Sequence, residues 1–333
     1  MARISAIIAV LSCLTLSFVS IAAAEPSKVG VLQHFVSLPA GLDAEGLAIR
    51  NNHFYVGTID FTAKDGTILI LDRQGTTTQT ITVPGLPLVG QLAFSDDNTL
   101  YAVAGNLNTG MGAVIRVHLD TGTVTTFATG FKLANGLAID KEGNLFVTDL
   151  VAGTVSKVTP EGDVSIFASG PLLATALVPA LGLSLGPNDL AFNAKETALY
   201  VTDLGLGTVV RIGVQSDGTA GPVTNFAKVS LPDGIPFDIK ANMYVTIPLT
   251  NTVQLVAKDG SAHQVSFDTA HETLSNPSNV AFVGPELYIT NLGLTGTSGI
   301  SQVRVQFPGL PLEGEVPNYQ VNRFSPNTVS QPR

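Results

Sequence analysis

The chain has 333 residues, 13% of them charged and 45% hydrophobic, enough length and apolar material for one large domain or two small ones. Its formal net charge is -9 and its pI about 4.9, which disfavours nucleic acid and anionic membrane surfaces as partners. The 33 glycines and 19 prolines, many at regular intervals, indicate short strands joined by tight turns.

The first 24 residues read as an export signal. Arg3 supplies a positive start, residues 7–21 are apolar, and Ala22-Ala23-Ala24 precedes Glu25. Small residues at 22 and 24 fit the cleavage rule, so residues 1–24 are expected to be removed and the mature protein to be secreted or periplasmic. A membrane anchor is the rival reading, but the apolar run is short and ends in a cleavage pattern. After cleavage no membrane contact is expected. Cys13 is the one cysteine and lies inside this segment, so the mature chain has no thiol and no disulfide.

One phrase then recurs along the chain. It reads AEGLAI from Ala44, GQLAF from Gly90, ANGLAI from Ala134, PNDLAF from Pro187, PDGIPF from Pro232 and PSNVAF from Pro277. Aligned on Ala48, Ala93, Ala138, Ala191, Pro236 and Ala281, the copies are 45, 45, 53, 45 and 45 residues apart. Each is followed by a second phrase: FYVGT, LYAVA, LFVTD, LYVTD, MYVTI and LYITN, starting at Phe54, Leu100, Leu145, Leu199, Met243 and Leu287. Their alternation of apolar residues with Thr and Val fits half-buried strands. Third strands are expected at 68–71, 114–117, 155–158, 209–212, 253–256 and 300–305. Fourth strands are expected at ITV, TTFA, SIFA, TNFA and QVSF. The turn residues Asp120-Thr-Gly, Glu161-Gly-Asp, Ser216-Asp-Gly and Lys258-Asp-Gly fall between them.

Four strands per repeat of roughly 40–50 residues is the signature of a propeller blade. The expected fold is therefore all-β: a six-bladed β-propeller over residues 25–310, four antiparallel strands per blade, with an extended tail at 311–333. Residues 30–39 (GVLQHFVSLP) resemble the fourth-strand segment NFAKVSLP at 225–232. The N-terminal strand is thus expected to close the ring as the outer strand of the sixth blade. A monomer is expected.

The first column of the repeated phrase carries the chemistry. It reads Glu45, Gly90, Asn135, Asn188, Asp233 and Ser278. Inner strands start near the propeller axis, so these side chains should face one volume. All but Gly90 offer an oxygen, which suits a hard cation: calcium takes roughly six to eight such donors. Glu45, Asn135, Asn188 and Asp233 are the expected ligands of one Ca2+ or another divalent ion, with no His or Cys in the column to favour zinc. The bland alternative is that Asn, Asp and Gly sit at strand starts for backbone reasons. Glu45 argues against it, because Glu is a poor turn former.

At this column the sequence resembles the SMP-30/gluconolactonase/LRE-like family, which includes calcium-dependent lactonases and organophosphatases. The resemblance rests on Glu45-Gly46, Asn135-Gly136, Pro187-Asn188 and Pro232-Asp233-Gly234 in phase, and spans about residues 30–306. It implies a metal-dependent hydrolase acting on a lactone or related ester. Asp233 would be general base or nucleophile, and Asn135 would hold the ion or orient substrate. Where one branch of the family holds a second, structural calcium, this chain has Pro236 and Ala281, so one metal is expected. The five histidines, His34, His53, His118, His263 and His271, fall outside the inner-strand phrases, so a histidine base is unsupported.

Two further features stay open. The eight extra residues of the long interval lie in 171–186 (PLLATALVPALGLSLG), expected on the same face as the metal. They read either as a lid over an apolar small-molecule pocket or as a patch for a partner. Asp149, Asp203 and Asn291 read as turn caps rather than ligands. The rival to the hydrolase is a non-catalytic, NHL-like binding propeller with a structural calcium.

Overall fold

The computed structural model describes residues 30–267, 273–294 and 296–311. The export signal at 1–24 and nearly all of the 311–333 tail lie outside the described residues, as does His271. Among the described residues the regular structure is β-strand, with one 3-10 turn at Pro248–Thr250 and no α-helix.

The strands fold as successive antiparallel meanders in a propeller-like arrangement. After β1 (Leu32–Ser37) the first meander is β2 (Asp43–Arg50), β3 (His53–Ile59), β4 (Gly66–Leu71) and β5 (Thr77–Val83), bonded in that order. The second is β6 (Leu88–Phe94), β7 (Thr99–Asn106), β8 (Met111–His118) and β9 (Thr123–Phe131), joined to the first by the single pair Ile59 and Leu88. The third is β10 (Ala134–Ile139), β11 (Leu145–Asp149), β12 (Thr154–Val158) and β13 (Val164–Ser169). A small hairpin of β14 (Ala176–Val178) and β15 (Leu183–Leu185) comes next. The fourth meander is β16 (Pro187–Phe192), β17 (Ala198–Asp203), β18 (Thr208–Val214) and β19 (Ala220–Lys228).

The fifth sheet departs from the expected four strands. It has β20 (Met243–Ile247), β21 (Thr252–Val256) and β22 (Ala262–Phe267), but PDGIPF forms no regular strand. Pro232 and Pro236 have no N–H to donate to a ladder. The phrase is held instead by the Phe237–Met243 bridge and by Asp233 N donating to Thr246 O at 2.9 Å. The last sheet is β23 (Pro277–Val283), β24 (Glu286–Asn291) and β25 (Gly299–Arg304), with β1 paired antiparallel on the outer side of β25.

The sheets pack face to face through the residues that the phrases repeat. Apolar clusters mix neighbouring sheets: Ile68, Ile70 and Ile81 pack with Leu92, Leu100 and Ile115. The aromatic residue of a second phrase meets the terminal Phe of the next inner phrase, edge to face. Tyr55 and Phe94 are 4.8 Å apart, Phe146 and Phe192 5.0 Å, Tyr200 and Phe237 5.1 Å, Tyr244 and Phe282 5.5 Å. Each such pair adds about 0.5–1.5 kcal/mol beyond area burial. The inner phrases converge on one cavity of about 580 Å³, lined by Leu47, Leu92, Leu137, Leu190, Ile235 and Val280, one from each phrase.

Candidate functional site

Five of the inner strands are interrupted at the same place. Pairing jumps from Ala44 to Leu47, Val89 to Leu92, Ala134 to Leu137, Pro187 to Leu190 and Pro277 to Val280. On the partner strand one residue is skipped: Gly57, Val103, Thr148, Thr202 or Thr290. Two residues thus oppose one, a β-bulge, and bulges re-aim side chains. The first bulged residue is the column: Glu45, Gly90, Asn135, Asn188 and Ser278.

Threonine hydroxyls lock this column from sheet to sheet. Thr148 accepts from Gly136 N at 2.7 Å in its own sheet and donates to the carbonyl of Asn188 in the next. Thr202 accepts from Asp189 N at 2.9 Å and donates to Asp233 O at 2.7 Å. Thr246 donates to Ser278 O. Thr290 accepts from Asn279 N at 2.9 Å and donates to Glu45 O at 2.7 Å. Thr148, Thr202 and Thr290 each join the N–H of one bulge to the carbonyl of the next column residue, and Thr246 makes the second of these bonds. Gly136 shows how close the sheets come: a Cβ there would lie 2.5 Å from Asn188 O.

The four expected site residues are brought together. Asn188 Nδ2 donates to Asp233 Oδ1 at 2.9 Å. Ser278 Oγ donates to the carbonyls of Ala44 and Glu45 at 3.0 and 3.2 Å, Asn135 and Ser278 both act on the Glu45 carboxyl, and the Glu45 charge acts on Asp233. Glu45, Asn188 and Asp233 are buried, at 8%, 3% and 6% exposure. Two oxygens of the set, Glu45 Oε2 and Asn188 Oδ1, are buried without any hydrogen-bond partner.

A third carboxylate, Asp189, is close beneath them. Its Oδ1 accepts from Leu190 N at 2.8 Å, and its Oδ2 from Ile235 N at 3.1 Å and Asn279 Nδ2 at 3.4 Å. It reaches the large central cavity from the column side. Sequence reasoning passed over it, although a carboxylate where three other phrases carry Gly46, Gly136 and Gly234 was a visible signal.

Burial sets the electrostatics. It pushes the Glu45 carboxyl up to about 7, against the hydrogen bonds from Ser278 and Asn135, with the Asp189 charge adding to the rise. Asp189 is likewise pushed up to about 7 by burial. Asp233 is raised well above the usual carboxylate range by burial and then by the charges on Glu45 and Asp189; the Asn188 amide opposes this. Among the described residues no Lys, Arg or His acts on these three acids. Their ionised forms therefore need a proton or a cation.

The donor set fits a hard divalent cation. It offers two carboxylates and two amides, and one oxygen of each kind, Glu45 Oε2 and Asn188 Oδ1, is buried without a hydrogen-bond partner. Among the described residues no cluster of three or more His, Cys, Asp or Glu has metal-binding geometry. The expected set contains only two such residues, Glu45 and Asp233; its other oxygens are amides.

The remaining sequence candidates fall elsewhere. Asp149 caps a loop, accepting from Lys132 N at 2.7 Å and Ala152 N at 2.9 Å. Asp203 accepts from Leu206 N at 2.8 Å, and Asn291 Oδ1 from Ser275 N at 3.0 Å. Pro236 and Ala281 line the central cavity. His34 and His53 make local exposed contacts with Ser37 and Asn51, and His118 and His263 lie on β8 and β22. The 171–186 stretch forms the β14–β15 hairpin. Its Val178 and Leu185 pack with Leu150 and Leu204. Val178 and Leu181, with Leu204, Leu231, Leu249 and Leu292, line a cavity of about 100 Å³ that reaches Asp233.

The profile of the SMP-30/Gluconolactonase/LRE-like region matches residues 173–293. Over that span, about a third of the chain, the sequence is similar to the SMP-30/gluconolactonase/LRE-like family. The match takes in Asn188, on β16, and Asp233, in the irregular segment before β20. Comparison with curated proteins gives no match. Solved structures resemble the whole fold. A gluconolactonase from Xanthomonas campestris is 18% identical with a TM-score of 0.62, over 84% of this chain and 89% of that one. A luciferin-regenerating enzyme is 14% identical with a TM-score of 0.62, over 84% and 97%. Virginiamycin B lyase from Staphylococcus aureus is 15% identical with a TM-score of 0.57, over 86% and 89%. At these identities the likeness is one of fold, and the fold hosts more than one kind of enzyme.

Proposed function

We propose that this chain is a divalent-cation-dependent hydrolase of a lactone or related ester, built on a six-bladed propeller that β1 closes. The lining of one cavity by all six phrases supports the blade count, and the pairing of β1 with β25 supports the closure. The observation that carries the chemistry is the pair of unpartnered buried oxygens, Glu45 Oε2 and Asn188 Oδ1, beside an ionisable Asp233 with no cationic side chain. Glu45, Asn135, Asn188 and Asp233 are the proposed ligands, and calcium is the ion their oxygens suit best. When bound, the ion supplies positive charge that stabilises the oxyanion developing on the substrate carbonyl.

The chain's own groups do the rest. The Asn188 amide holds Asp233 by its 2.9 Å bond and fixes the carboxylate's orientation. Asp233 takes the proton of the attacking water. Asn135 steadies Glu45 and faces the substrate. The apolar cavity beside Asp233 receives the substrate's hydrocarbon part and excludes bulk water. An ester with an aliphatic substituent fits this wall better than a polyhydroxylated sugar lactone. The export signal, if cleaved, makes this a secreted or periplasmic enzyme.

The deep burial of Asn188 favours a second reading, in which the ion is structural and the propeller only binds. Lactone hydrolysis assayed with and without chelator, in the native protein and in Asp233→Asn, separates the two. Calcium-dependent turnover lost in the variant supports the hydrolase. Full turnover in Asp233→Asn, or none in calcium-loaded native protein across aliphatic and sugar lactones, removes it.

A further inference from the structure

The two ends of the molecule differ in chemistry. Asp43 pairs with Ile59, Leu88 with Gly105, Ala134 with Asp149, Pro187 with Asp203 and Pro277 with Asn291. Inner strands therefore begin, and second strands end, at the same end of the molecule, where the column lies. The loops leaving the second strands there each present a large apolar side chain to solvent. These are Phe61, Leu107, Val151, Leu206, Leu249 and Leu294, exposed by 37–59%. The β14–β15 hairpin adds Leu177, Leu181 and Leu183, exposed by 45–62%.

Charge is sparse among the described residues of this end. Apart from buried acids such as Asp233, its loops and strand ends carry Asp43, Asp60, Lys64, Asp65, Lys132 and Lys228. The opposite end has charged turns throughout, among them Asp72-Arg73, Asp96-Asp97, Asp140-Lys141-Glu142 and Lys258-Asp259. The described chain also enters and leaves at that opposite end. Gly30 N bonds Arg304 O, and Leu310 and Pro311 line the far cavity. Neither terminal segment therefore starts from the apolar face.

Large exposed apolar areas mark interaction surfaces. Here the apolar groups are single tips around a mouth, with scarcely any ionic side chain among them. A protein interface needs a polar rim and roughly one hydrogen bond per 100–200 Å² to set its register. A hydrocarbon boundary needs neither. With a net charge of -9, and with Lys64, Lys132 and Lys228 offset by Asp43, Asp60 and Asp65 among the described residues of the face, the surface has no net attraction for anionic lipid. We infer that this end of the molecule docks on a zwitterionic lipid surface, with the loop tips in the headgroup–acyl boundary and the Asp233 cavity opening toward it.

Binding is read without turnover, so this inference stands or falls apart from the hydrolase reading. The test is co-sedimentation of the full chain with phosphatidylcholine vesicles. Native protein is expected to partition to the vesicles and to stay bound at high salt. Leu177→Asp with Leu294→Asp is expected to weaken partitioning about tenfold or more, each tip losing part of a leucine's transfer energy. Ile166→Asp, on the outer strand β13 and 61% exposed, is expected to leave it unchanged. The chain has no tryptophan, so single replacements report locally. Leu177→Trp should shift its emission to the blue on vesicles and Ile166→Trp should not, whatever the apolar N-terminal segment does. Four results overturn the inference: native protein left in solution, binding only to anionic phosphatidylglycerol, equal loss in Ile166→Asp, or a concentration-dependent dimer abolished by Leu177→Asp. The last would make a second copy of the chain the occupant.

Discussion

Asp233, Glu45 and Asp189 share a buried volume in which, among the described residues, no basic side chain offsets their charge. That arrangement has a pH signature. The folded carboxyls of Glu45 and Asp189 stand near 7, above their ordinary values of 4.5 and 3.8. Between those limits the folded protein holds protons that the unfolded chain has released. Stability is therefore full below about pH 4 and falls as pH rises toward 7. In chelator, the melting temperature should drop by about 5 °C between pH 5 and pH 8. Added calcium should remove that slope, because the ion replaces the protons. A flat profile in chelator would contradict the reading. Asp233→Asn should make the metal-free protein more stable at pH 8 and insensitive to calcium, while lowering any hydrolysis by about 10²–10⁴. Thermal melts and lactone turnover check both arms. The column residues were legible in the sequence because they repeat in phase. Asp189 showed there only as a departure from the glycine that three other phrases carry; its burial beside the column, which gives the carboxylate its meaning, depends on the bulge geometry that the repeat does not encode.

The element that places the site is the bulged inner strand, held by a threonine from its neighbour. Thr202 shows the load: it satisfies both Asp189 N and Asp233 O. Thr202→Val keeps the shape and leaves both groups buried and unpaired, at about 1–3 kcal/mol each. Chemical denaturation should register that loss, and calcium affinity should fall with it because Asp233 shifts. Thr202→Ser should restore most of both. Gly136→Ala should act in the same direction, since the added methyl meets the Asn188 carbonyl. The threonines were plain in LFVTD, LYVTD, MYVTI and LYITN, but there they read only as strand formers. A hydroxyl's partner in the next sheet depends on bulge geometry, which periodicity does not encode. The β14–β15 hairpin escaped the sequence for a related reason: an unbroken apolar run such as PLLATALVPALGLSLG has no alternation to mark its strands. The missing inner strand of the fifth sheet was, by contrast, foreshadowed by Pro232 and Pro236.

At the scale of the whole molecule the account rests on radial repetition. Phrases 45 residues apart place Leu47, Leu92, Leu137, Leu190, Ile235 and Val280 around one cavity. This order was readable because each repeat had to bury the same face against its neighbour. If β1 closes the ring, deleting residues 25–37 leaves the β25 edge unpaired and should cause loss of cooperative melting and aggregation; a truncated chain that melts like the native one would refute closure. The segregation of apolar loops to one end was not legible, because it needs the fold to say which loops share a face. The most direct test of the central claim is calorimetric titration of calcium into chelator-stripped protein, native and Glu45→Gln/Asp233→Asn. One ion should bind per native chain and none to the double variant. No binding to the native chain, or equal binding to both, would contradict the account.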